Sequence, residues 1–225
     1  MSLAAGQCRA GASRGCSLCL TSPRATLPGK HARRRCSMAE LHIVGNIVGG
    51  QDFDDPALFC KWSLITDDGR TDARRWNLLE GINSAQTQVD VAKPGKMAVW
   101  AFPLDIHYST TSIHGWPKFQ CEVWSHDAYG RNALAGYGFC HIPTMPGTYE
   151  LEVCCWRPKP QSWMEYLSGF FLGAYPQLRN PDLVWRQDDR YRLATVATGT
   201  VMLNVSVITF GFEKYGVQQS VDPNA

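Results

Sequence analysis

Hydrophobic and polar positions alternate with a period of two along most of the chain after Met38. Leu41, Ile43 and Ile47 alternate with His42 and Asn46, Leu104, Ile106 and Tyr108 with Asp105, His107 and Ser109, and Phe119, Cys121 and Val123 with Gln120 and Glu122. The pattern recurs in Tyr149, Leu151 and Val153 against Glu150 and Glu152, and in Val201, Leu203, Val205 and Val207 against Asn204 and Ser206. Successive side chains of a strand point to opposite faces, so each run predicts a strand with one face on a core and the other toward water. His42 and His107 fall on the outward positions, where a solvated imidazole is expected. Shorter strands fit LFCKWSLIT, RRWNLL, AQTQVDV, AGYGFCHI and RYRLATV. Turn chemistry separates them at DDPA, TDDGRTD, KPGK, HGWPK, TMPG and ATGT. Eight or more such strands predict an all-β antiparallel sandwich.

One segment has a different period. In SWMEYLSGFFLGAYPQL, Trp163, Tyr166, Leu167, Phe170 and Phe171 recur at helical spacing, which predicts one inserted amphipathic helix over about 162–172. Ser162 and Glu165 form a capping box at its start and Gly173 suits its end. Two roles are open to it: covering one end or edge of the sandwich, or docking a partner through Trp163, Tyr166, Phe170 and Phe171. Insertion into a membrane surface fits less well, because the opposite face carries Glu165, Ser168 and Gly169 and no basic residue.

Composition changes the picture mainly at the N-terminus. Residues 1–37 hold seven Lys or Arg, no Asp or Glu, and none of the aromatic residues. Such a segment buries too little apolar surface to offset its ordering entropy and is expected to be a disordered basic tail. Its composition also matches a mitochondrial transit peptide, while its glycines disfavour the required amphipathic helix. An extension upstream of a start at Met38 is the remaining reading. The rest of the chain has 15 basic against 20 acidic residues, which gives a nucleic acid no basic footprint. The ordered domain is expected over 38–217, with a disordered C-terminus over 218–225. No apolar run approaches the eighteen or so residues of a membrane-spanning helix. The nine cysteines are expected as reduced thiols, those after residue 37 mostly buried in strands, and Cys16-x-x-Cys19 has no second pair at zinc-site spacing.

Catalytic patterns are sparse. Gly11–Gly15 matches G-x-S-x-G, but that motif has meaning only at a strand-to-helix corner, and here it lies in the tail. There is no phosphate-binding loop, no dinucleotide fingerprint and no H-E-x-x-H. The titratable residues form no recognisable catalytic set, so an enzyme is not expected.

The stretch VWSHDAYGRNALAGYGF, 123–139, resembles the loop-three region of C2 domains, where an aromatic-ended strand runs into three calcium-binding carboxylates. At those three positions this chain has Ser125, Asp127 and Ala133, so one carboxylate of three remains. The opposing loop offers Asp52, Asp54 and Asp55. Calcium takes six to eight oxygens, and the resemblance therefore implies a degenerate loop with no metal. Gly136 and Gly138 suit a close strand approach or a bulge, and Asp127 with Gly130 a tight turn.

Beyond that loop, Gly136, Tyr137, Gly138, His141, Pro143, Pro146 and Gly147 make a G-Y-G-x-x-H-x-P-x-x-P-G run. Together with LFCKW, AQTQVDV, FPLDIHYSTTSIHGWPK and DRYRLATVATGTVMLNVSV, in order from about Met38 to Val217, it resembles the B9 domain family, a divergent C2-like family. The loop TDDGRTDARRW is longer than the pattern suggests, and residues 1–37 have no counterpart. The resemblance implies a C2-like sandwich and a non-enzymatic, cofactor-free component of the tectonic-like, or Meckel syndrome, complex at the ciliary transition zone. Such a component supports ciliogenesis and the barrier to membrane-protein diffusion between cilium and plasma membrane. Its location would be cytoplasm, cytoskeleton, basal body and transition zone. Its partners would be other B9 domain proteins and further members of that complex, with at most weak membrane contact. Loss of such a member would disturb Hedgehog signalling indirectly. The alternative is a peripheral membrane-binding C2 domain touching lipid through its loops. Eight Trp and eight Tyr supply the residue types of interface hot spots. The candidate partner-binding residues are Trp124, Arg131, Trp163, Tyr166, Phe170 and Phe171.

Overall fold

A computed structural model describes residues 38–66, 75–93, 95–127, 129–160, 162–164, 167, 176–186 and 193–217. Contacts divide the chain into Met1–Arg35 and Cys36–Ala225, and all described residues belong to the second unit. The tail expected over 1–37 and the C-terminus expected over 218–225 lie outside the described residues.

Among the described residues, ten strands form one antiparallel sheet. They are β1 (Ala39–Gln51), β2 (Ala57–Ile65), β3 (Trp76–Gly81), β4 (Ser84–Gln86), β5 (Asp90–Val91), β6 (Ala98–Thr110), β7 (Lys118–His126), β8 (Asn132–His141), β9 (Gly147–Pro158) and β10 (Thr195–Phe210). Their order is β3-β6-β1-β10-β9-β8-β7-β2-β4, with β5 also on β2. The expected pair of stacked sheets is thus realised as one sheet that curls back on itself. The bend lies at β9. This strand runs a long ladder with β10, from Gly147↔Val207 to Thr195↔Pro158. It touches β8 through only two pairs, Tyr137↔Trp156 and Gly138↔Cys155. On the far side β6 reaches β2 through side chains. Trp100 Nε1 donates to Leu58 O of β2 at 3.1 Å, and Gln88 Nε2, between β4 and β5, donates to Trp100 O at 2.6 Å.

The alternating apolar positions meet inside this curl. Leu41, Ile43, Leu104, Ile106, Phe119, Cys121, Val123, Val153, Leu203 and Val205 are almost wholly buried in one cluster. Trp62 packs edge-on against Phe102 at 5.8 Å across the curl. An aromatic plug closes one end: Trp76 meets Tyr108 at 6.1 Å and Trp116 at 5.4 Å, and Trp116 meets Phe212 at 6.0 Å. Most of the tryptophans therefore serve packing, and among the eight only Trp163 is exposed.

Two local expectations change. ATGT, expected as a turn, lies inside β10, where the register shifts between Ala197 and Thr200. Gly199 there faces Gln51 O and the Phe53 ring, so the flexible residues make a bulge that lets Phe53 close in, not a reversal. The amphipathic helix expected over 162–172 is not seen among the described residues. Of it, Trp163, Met164 and Leu167 have helical backbone, and Met164 N–H donates to Ser162 Oγ at 3.3 Å as a cap would. Tyr166, Phe170 and Phe171 lie outside the described residues. Its first aromatic, Trp163, is 70% exposed and does not join the core.

The bend fixes why Gly138 is glycine. A Cβ there would stand 2.8 Å from Cys155 Sγ, 2.9 Å from Cys121 Sγ and 2.9 Å from Val153 Cγ1. A Gly138→Ala substitution is expected to lower stability by about 1–3 kcal/mol through overpacking, read from the urea midpoint. The thiols packed around that corner give a pH signature. Hydrogen bonding to Cys121 and burial push the Cys155 thiol up, burial pushes Cys140 up to about 12, and burial pushes Tyr108 up to about 12. The folded state thus keeps protons that the unfolded chain releases. Stability is fully present below the ordinary thiol value of 9.0 and is expected to fall as pH rises from there toward about 12. Urea midpoints at successive pH values check this.

Candidate functional site

The antiparallel pairing of Leu58 with Ser125 brings the β1–β2 loop and the β7–β8 loop to the same end of the domain. These are the two loops whose carboxylates the sequence offers. In the β7–β8 loop, Gly130 adopts φ 79° and its N–H donates to Asp127 O at 2.9 Å, closing a tight turn as expected. Arg131 Nη2 donates to Asp127 Oδ2 at 2.8 Å, and its guanidinium lies 5.5 Å from the Tyr129 ring centroid. Ser125 and Ala133 face each other across the ladder, with Ser125 buried and its Oγ donating to Ala133 O at 3.4 Å. At the three calcium positions the chain thus has a buried hydroxyl engaged with its own strand pair, a methyl group, and a carboxylate already held by an arginine.

The β1–β2 loop is also internally engaged. Arg157 of β9 donates to Asp54 Oδ2 at 3.4 Å. Asp52, at φ 61°, and Asp55 line a cleft of about 360 Å³ with Phe53, Lys93 and Lys96. Two lysines on the wall of a cleft with three aspartates offset its negative charge. Calcium in the low millimolar range is therefore expected to leave the thermal unfolding midpoint of the full chain unshifted, whereas a functional calcium site would raise it.

The Gly136–Gly147 motif is structural in its first half. A register shift between Val123 and Trp124 leaves Ala135 as the extra residue of a bulge. Gly136 and Gly138 then face the corner, while Tyr137 faces outward and is buried beneath the 176–186 segment. Tyr137 OH accepts from Leu178 N–H at 3.2 Å, and burial raises its phenol. Leu134, Tyr137, Trp156 and Val184 form a second apolar cluster there. Trp124 packs on its margin, half-buried, with Lys61 Nζ 4.8 Å from its ring centroid. His141 is exposed and meets Phe139 edge-on at 5.9 Å. Pro143, Pro146 and Gly147 shape the β8–β9 turn, across which Tyr149 OH donates to Met145 O at 3.1 Å. Of the candidate contact residues, Arg131 and Trp163 are exposed and Trp124 is not.

A surface the alternation did not single out lies on the other layer. Outward positions of β1 and β10 carry Val44, Ile208 and Phe210, which are 40%, 54% and 65% exposed. The signal was available: Val207 and Ile208 are consecutive apolar residues directly after the alternating run Leu203–Val207. His42 and His107, expected as solvated imidazoles, are half-buried beside this row and stacked on each other.

Comparisons place the chain among known proteins. The family described as "Ciliary basal body-associated, B9 protein" matches residues 41–208. The chain is 46% identical to B9 domain-containing protein 2 of Danio rerio over 80% of its own length and 99% of that protein. It is 45% identical to the Homo sapiens protein of that name, with the same coverage. B9 domain-containing protein 1 of Xenopus laevis is 27% identical over 78% of this chain and 87% of that one. Among solved structures, a C2 domain of plant Extended Synaptotagmin 1 aligns at a TM-score of 0.37 and 11% identity, covering 77% of this chain and 97% of that chain, too distant to carry an argument. A match through nearly all of the strands, with relatives covered almost end to end, leaves one conclusion: the chain belongs to the B9 family of ciliary basal body-associated proteins.

Proposed function

We infer that this protein is a non-enzymatic structural component of the ciliary transition zone, working within the tectonic-like (Meckel syndrome) complex. There it supports ciliogenesis and the barrier to membrane-protein exchange between cilium and plasma membrane. Its partners are other B9 domain proteins and further members of that complex, and its site is the basal body, the transition zone and the associated cytoskeleton. Family membership supports the ciliary setting.

The observation that carries the assembly role is the exposed apolar row Val44, Ile208 and Phe210 on β1 and β10. Adjacent exposed apolar side chains on a regular, rigid sheet face suit a protein interface. The opposite layer already has a cover of its own chain, with Val184 and Trp185 buried there. Arg131 in the β7–β8 loop and Trp163 after β9, both exposed, offer further contact points. The membrane-binding alternative has less support, since the loop carboxylates Asp54 and Asp127 are engaged by Arg157 and Arg131.

The test is affinity purification of the tagged full chain from ciliated cells, with imaging of its location. Wild type is expected to recover other B9 proteins and to concentrate at the cilium base. A Phe210→Asp, Ile208→Asp variant is expected to lose at least tenfold of that recovery with a thermal midpoint lowered by no more than about 4 °C, since exposed substitutions of this kind shift stability by only about 0.5 kcal/mol each. Undiminished recovery by the variant would rule out this face. Recovery of no B9 protein by wild type would end the assembly reading.

A further inference from the structure

The outer face of β1 and β6 carries a cluster that the assembly role does not use. Glu40 and His42 are two apart on β1 and so project from the same face. His42 pairs directly with His107 on β6. The two imidazoles lie 3.8 Å apart between centroids, with planes 18° from parallel. Glu40 Oε2 is 3.5 Å from His107 Nε2. One donor atom from each of the three residues lies within 4.8 Å of the others.

Two further observations point to a ligand. His107 Nε2 is shut off from solvent and has no hydrogen-bond partner among the described residues. Ser109 pairs with Glu40 and lies two residues from His107, hence on the same face; it is 1% exposed and its Oγ also has no hydrogen-bond partner among the described residues. Buried polar atoms are nearly always satisfied, so Ser109 Oγ and His107 Nε2, the latter with only Glu40 Oε2 near it at 3.5 Å, support a ligand beside this carboxylate and these imidazoles.

We propose that Glu40, His42 and His107 form a zinc site on the outer face of the sheet. Two imidazoles and one carboxylate, with no thiolate, are a donor set that zinc accepts, and three protein ligands leave the fourth position open. Donors of a tetrahedral zinc site stand about 3.3 Å apart, given ligand distances of about 2.0–2.1 Å. The Glu40–His107 separation of 3.5 Å is already close to that spacing. His42 must turn out of its stack to bring its nitrogen in, and its half-exposed position on the strand leaves room for the turn. Rigid neighbouring strands fix two of the three ligands in register before metal arrives. Phe210, which pairs with Glu40, borders the site. The site stands whether or not that face docks a partner.

The test titrates zinc into the reduced full-length chain against a chromophoric chelator, for wild type, His42→Gln, His107→Gln, the double variant and Glu40→Gln. Wild type is expected to bind one zinc at micromolar affinity or tighter. Each histidine variant should weaken that step at least tenfold, and the double variant should lose it. Cobalt in place of zinc should give ligand-field bands without a thiolate charge-transfer band, a readout that needs no variant to fold. Zinc binding retained in full by the double variant would overturn the site. So would a thiolate band for the single cobalt, which would assign the metal to cysteines.

Discussion

The structure depends on how closely β8 can lie against β9 at the bend of the sheet. Two residue pairs hold the two halves together there, and at one of them the backbone of Gly138 sits where any side chain would strike Cys155, Cys121 and Val153. Sulfur atoms fill the remaining space as small apolar groups, which is why burial and mutual contact hold their protons so firmly. Because the bend is tight, the inner faces of both halves reach one another and form a single core. The outward face of β8 is then left to Tyr137, which draws the 176–186 segment over it. One close approach thus sets the core, the covering segment and the positions of the loops at either end.

Strand alternation reported faces well and neighbours badly. The period of two placed Leu41, Ile43, Leu203 and Val205 inside and His42 and His107 outside, as found. It is a property of one strand, so it carried no sign that His42 and His107 would be opposite one another, which depends on a register between segments 65 residues apart in sequence. The same limit hid the bulge at ATGT: turn-forming residues mark a backbone that bends, and only the contact with Phe53 decides whether it reverses. The spacing Gly136-Tyr137-Gly138 was legible as a close approach because glycine at alternating positions has a local meaning. The abundance of tryptophan was misleading in the other direction, since Trp62, Trp76, Trp100, Trp156 and Trp185 are consumed by the interior and its covering segment.

At the loop end, the acidic side chains are matched by basic ones of the same chain. The β1–β2 and β7–β8 loops still lie together, held by the pairing of Leu58 with Ser125. Their aspartates, however, are met by Arg131, Arg157 and nearby lysines of the same chain. Charges neutralised from within offer little to an external cation, and such exposed pairs contribute on the order of 1 kcal/mol or less to stability. The sheet faces, by contrast, present side chains at the fixed spacing of rigid strands.

The position of β1 has a consequence for how the chain is made. The first strand lies in the interior of the sheet, flanked by β6 and by β10, the last, so that Glu40 pairs with both Ser109 and Phe210. A nascent chain can pair β1 with β6 early, but the other edge of β1 stays open until β10 has been synthesised near the end of the sequence. Such long-range pairing folds slowly and is exposed to aggregation on the way. A premature stop before β10 leaves β1 with one neighbour and β9 with only its short contact to β8. Supply of this protein therefore rests on complete synthesis and on whatever shields the early strand in the interval.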